Sequence, residues 1–84
     1  MTKFKMKPAS LYKWMAQNKA EYTGNCFYGS LLDNFIVSTK RGYAAIYESY
    51  VNAWTSQYEV VFAPYKNVKE VDSLFSEFLE RSEA

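Results

Sequence analysis

The sequence predicts an α+β domain with the order α-β-β-β-α, in which a three-stranded antiparallel meander is packed by an N-terminal and a C-terminal helix. Three observations point to it. An apolar stripe at helical spacing follows Pro8, a longer one runs through residues 68–79, and the stretch between them is rich in β-branched and aromatic residues. The 84 residues are room for one domain, taken as 1–84, with 1–7 as a basic arm and 82–84 as a frayed end.

The first helix is placed at Pro8–Lys19. Pro suits a first turn, where its missing N–H is not needed, and Leu11, Trp14, Met15 and Asn18 follow at i, i+3, i+4 and i+7. Tyr22–Thr23–Gly24–Asn25 is turn chemistry. Cys26–Tyr28 reads as a short extra edge strand, followed by a turn at Asp33–Asn34. The meander strands are expected at Phe35–Thr39, Tyr43–Trp54 and Tyr58–Ala63. Lys40–Arg41–Gly42 reads as a three-residue connection ending in a left-handed Gly. That turn pairs Thr39 with Tyr43, Val37 with Ala45 and Phe35 with Tyr47. Thr55–Ser56 can close the second hairpin, setting Val51 against Val60 and Ser49 against Phe62, and a four-residue loop, Ala53–Ser56, keeps the same faces. The two registers together name a core of Phe35, Val37, Tyr43, Ala45, Tyr47, Val51, Val60 and Phe62, because side chains alternate with period two. Asn67 caps the last helix, Val68–Arg81, with Glu70 in the capping-box position and Val68, Val71, Leu74, Phe75, Phe78 and Leu79 as its apolar stripe.

Composition excludes several functions. A content of 49% hydrophobic residues, 19% of the chain aromatic, rules out disorder. There is no His, so Ser-His and Cys-His pairs and His-containing zinc sites are absent. The single cysteine, Cys26, cannot form an intramolecular disulfide or a Cys-only metal site, and no cofactor is expected. No segment is apolar enough for a membrane span or a secretory signal, so no membrane partner and a reducing, cytoplasmic location are expected. The three glycines all sit at turns and form no phosphate loop. Asp33, Glu48 and Glu59 act as an acid–base set only if a cleft joins them, so the chain is read as a non-enzyme.

The net charge of +1 hides an uneven layout, with lysines before Glu21 and mostly carboxylates after residue 69. The face of the meander opposite the expected core carries Ile36, Ile46, Tyr50, Trp54 and Val61, more apolar area than a solvated face needs. The first helix covers this band, or the band is an open patch in which Tyr50 and Trp54 are binding anchors and Lys40 and Arg41 rim cations. The open patch makes the chain a protein-binding module. Two rivals are a single-stranded nucleic-acid binder using Tyr50, Trp54 and Lys40–Arg41, and a homodimer joined through that face or a sheet edge. Glu48 and Glu59, expected on the same face, weigh against nucleic acid, leaving weak, salt-dependent binding through the N-terminal lysines. In size and composition such a short Lys-, Asn- and Tyr-rich chain is similar to small phage and mobile-element proteins, a likeness carried by no particular residue. It implies a compact binder that inhibits or modulates a host protein, such as a defence or replication enzyme.

Overall fold

The computed structural model describes residues 1–28, 33–52 and 55–83. Their order is β1 (Thr2–Met6), α1 (Pro8–Gln17), β2 (Glu21–Tyr28), β3 (Asp33–Ser38), β4 (Gly42–Asn52), β5 (Thr55–Pro64) and α2 (Val68–Glu83). The fold is mixed α+β, as expected, but the sheet has five strands in the order β1-β5-β4-β3-β2, with every neighbouring pair antiparallel. Its Cα radius of gyration, 12.3 Å, is close to the roughly 12 Å of a compact chain this long.

The N-terminal segment is a strand and not an arm. Thr2–Met6 pairs with Phe62–Tyr58 along one edge. Phe4 and Met6 turn inward, while the exposed Lys3 and Lys5 stand on the other face, and lysines on an edge strand discourage pairing with further chains. This placement also accounts for part of the uneven charge. Lys3 Nζ lies 3.4 Å from Glu77 and the Met1 ammonium 2.8 Å from Glu70, so the basic start and the acidic last helix meet within the molecule.

The helix α1 ends two residues sooner than its periodicity suggests. Lys19 takes a left-handed conformation (φ 52°). Its N–H bonds the Ala16 carbonyl at 3.3 Å, and the Ala20 N–H bonds the Met15 carbonyl at 2.9 Å. This is the Schellman arrangement, usually built on Gly because other residues strain there. Asn18 caps the same end, its Nδ2 donating to the Trp14 carbonyl at 2.8 Å.

Both hairpins differ in register from the sequence reading, and the difference moves the core. At the first, Ser38 pairs with Tyr43, Val37 with Ala44 and Ile36 with Ala45. The loop is therefore the two residues Lys40–Arg41, and Gly42 already belongs to β4. The Thr39 hydroxyl makes this closure, accepting the N–H groups of Arg41 and Gly42 at 3.2 Å and donating to the Gly42 carbonyl at 2.9 Å. Gly42 is required for space and not for a left-handed turn: a Cβ there would fall on the Ala63 carbonyl oxygen. At the second hairpin Tyr50 pairs with Ser56 and Asn52 with Thr55, which sets Val60 against Ile46 and Val61 against Ala45. Each register is an odd number of residues from the expected one, and an odd slip exchanges faces.

The result is one apolar layer on each side of the sheet. Under α2 lie Ile36, Ala45, Tyr47, Val61 and Ala63, closed by Leu74 and Phe78, with Tyr43, Val71 and Phe75 at the margin. Under α1 lie Val37, Ala44, Ile46 and Val60, closed by Leu11, with Phe4, Trp14, Met15, Phe35, Tyr58 and Phe62 around them. The expected core list is thus divided: Phe35, Val37, Val60 and Phe62 belong with α1, while Tyr43, Ala45 and Tyr47 belong with α2. The Val51 side chain lies outside the described residues. A buried aliphatic side chain of this size is worth roughly 1.5–3 kcal/mol relative to exposure, and both layers hold several.

A candidate basic docking recess

The three described side chains of the expected interaction band, Ile36, Ile46 and Val61, do not share a face. Ile36 and Val61 are buried under α2 and Ile46 under α1, each at most 1% exposed. They occupy opposite faces and are core residues. Both helices therefore have a layer to cover, so the contrast between a complete core face and an open one disappears. Tyr50 stands eight residues along β4 from Gly42, about 26 Å away at roughly 3.3 Å per residue, so it belongs to the opposite end of the sheet from Lys40 and Arg41. The Tyr50 side chain and Trp54 lie outside the described residues. Glu48 and Glu59 also separate: Glu48 is opposite Tyr58 on β5, Glu59 opposite Tyr47 on β4, and the two point to different faces. Arg81 holds Glu59 at 3.0 Å and Glu77 at 2.9 Å. Its guanidinium also lies 4.1 Å from the centre of the Tyr47 ring. Burial pushes the Tyr47 hydroxyl up to about 12. Asp33 begins β3, paired with Tyr28 of β2.

Lys40 and Arg41 are both exposed, and the structure builds a site around them. The tip that carries them is tied to two other elements. On the α1 side, the Lys40 N–H donates to the Asn18 carbonyl and Arg41 Nη2 donates to Asn18 Oδ1, each at 3.3 Å. Asn18 is 8% exposed and is itself fixed by Trp14. On the other side, the Tyr65 N–H donates to the Arg41 carbonyl at 3.1 Å. The Tyr65 hydroxyl donates to the Thr39 carbonyl at 2.7 Å and lies 2.6 Å from Ser38 Oγ, which donates to it in turn. The Tyr65 ring meets Tyr43 edge-on, with centroids 5.1 Å apart.

These ties bring the β3–β4 turn and the β5–α2 turn together around an open recess of about 540 Å³, lined by Lys40, Arg41, Phe62, Pro64, Tyr65 and Lys66. Sequence reasoning found the first two residues and missed the rest. The rest reach the tip through the Gly42–Pro64 pairing, with Tyr43 opposite Ala63, which no residue near Lys40 signals. Among the described residues, Lys40, Arg41 and Lys66 form no ion pair, and no carboxylate lines the recess. The recess combines three solvent-facing cations, a guanidinium with one N–H engaged, and an apolar floor. It is suited to binding an anionic group attached to something apolar. No helix among the described residues is long and apolar enough to cross a membrane. Comparison of the chain with protein-family models, curated proteins and solved structures returns no match.

Proposed function

We propose that this chain is a non-catalytic protein-binding module that engages its partner at the Lys40–Arg41 end of the sheet. The supporting observation is that two exposed, ion-pair-free cations sit on a turn immobilised from both sides, by Asn18 and by Tyr65. Holding a surface group in place before binding lowers the ordering cost of association. The partner class suggested by size and composition is a host protein, such as a defence or replication enzyme, that the module inhibits or modulates. The test is capture on immobilised full chain, followed by binding of the captured protein in purified form to the parent and to Lys40→Glu/Arg41→Glu. Binding that weakens in the variant, with an unchanged melting temperature, supports the reading. A partner that binds both equally overturns the placement at the tip.

A further inference from the structure

Resting on that reading, the recess can be given a ligand chemistry: we infer that it receives a short acidic segment of the partner protein, a carboxylate between Lys40, Arg41 and Lys66 and an apolar side chain on Phe62 and Pro64. Charge is the first support. On the α2 face cations and carboxylates satisfy one another, Lys3 and Arg81 with Glu77 and Glu59, whereas the recess gathers three cations and, among the described residues, no carboxylate. Geometry is the second. Arg41 spends one Nη2 N–H on Asn18 Oδ1, which orients the guanidinium and leaves its other donors for a carboxylate, whose two oxygens match that planar fork. Size is the third. About 540 Å³ falls within the roughly 300–1,000 Å³ of ligand pockets and accommodates a few residues of extended chain.

The same features disfavour a single-stranded nucleic acid. Stacking requires an open ring face. The recess offers a single exposed ring, Tyr65, fixed in place by its hydroxyl bonds to Thr39 and Ser38, and Phe62 is half-buried against the α1 layer, so successive bases have no series of rings to stack on.

The experiment is a nuclear magnetic resonance titration of the isotopically labelled full chain with three probes: a short peptide alternating Glu and Phe, its Gln-for-Glu counterpart, and a short oligothymidylate. The acidic peptide should shift the amides of Lys40, Arg41, Tyr65 and Lys66 and lose affinity as salt rises; the Gln peptide should not bind. Lys40→Glu/Arg41→Glu should weaken the acidic peptide by roughly tenfold or more. The charge-matched Lys7→Glu/Lys13→Glu, altered at the start and middle of α1, should stay within about threefold. Equal binding of the Gln peptide, tighter binding of the oligothymidylate at physiological salt, or shifts on α2 with sedimentation as a dimer would each overturn the assignment. Failure of the peptide beside a purified partner that still depends on Lys40 and Arg41 removes the acidic-segment assignment alone. A partner indifferent to those residues removes the docking site itself.

Discussion

Gly42→Ala tests the tip most directly. A Cβ built on Gly42 lands on the carbonyl oxygen of Ala63, with the Pro64 Cα at 2.7 Å and the Ala63 carbonyl carbon at 2.9 Å. All three are backbone atoms, and non-bonded carbons rest about 3.5–4.0 Å apart, so β4 and β5 must separate by close to 1 Å. The strand β5 cannot yield easily. It is bonded to β1 on its other side as far as Phe62, the next residue, Ala63, is fully buried in the α2 layer, and the Tyr65 N–H is bonded to the Arg41 carbonyl. The displacement therefore falls on the turn, where Thr39 N–H bonds the Gly42 carbonyl at 2.8 Å. Overpacking of this kind costs about 1–3 kcal/mol, and the lower backbone entropy of Ala in the unfolded chain returns about 0.4–1 kcal/mol. The net loss is about 1–2 kcal/mol, from a total stability of roughly 4–13 kcal/mol for a chain of this length. At about 4–8 °C per kcal/mol, circular dichroism should record a fall in melting temperature of roughly 5–15 °C. Amide shifts should concentrate at residues 39–42 and 63–65. A variant melting within about 2 °C of the parent would refute the reasoning, because the strands would then have room that the packing denies.

Three further outcomes are expected. The Tyr47 hydroxyl is buried with no hydrogen-bond partner among the described residues, so Tyr47→Phe should hold or raise stability by up to about 1 kcal/mol in urea melts; a clear loss would mean that the hydroxyl is satisfied. Unfolded tyrosine loses its proton near 10 while folded Tyr47 keeps it to about 12, so the native state holds more protons across that window. Stability should fall there as pH rises, and more shallowly in Tyr47→Phe. Lys19→Gly relieves an exposed left-handed residue at the end of α1 and should stabilise by about 0.5–1 kcal/mol in melts; a loss would mean that the conformation is not strained. Ile46→Ala and Leu74→Ala empty fully buried sites in opposite layers and should each cost about 2–5 kcal/mol. Their effects should add, being separated by the sheet; a near-neutral result for either would mean that its layer is not core.

The parts of this fold readable from sequence are those set by neighbours along the chain. The stripe from Val68 to Leu79 predicts α2, and Pro8 with Leu11, Trp14 and Met15 predicts α1, because a helix satisfies its backbone within itself and its apolar period is local. The strand character of β3, β4 and β5 and the exposure of Lys40–Arg41 are legible for the same reason. The edge strand β1 is not. Its alternation of Lys3 and Lys5 with Phe4 and Met6 resembles a solvated arm until β5, more than fifty residues away, supplies the hydrogen bonds. Nor is the site. Lys66 reaches the tip only through the pairing of Gly42 with Pro64, and nothing near Lys40 announces it. Which residues of the meander face which helix depends on whether the turn has two residues or three. That choice was made by the Thr39 hydroxyl and by the lack of space at Gly42 against Ala63. A strand side chain alternates with every residue, so a single step in register, decided by contacts between distant segments, turns an expected binding face into two halves of a core.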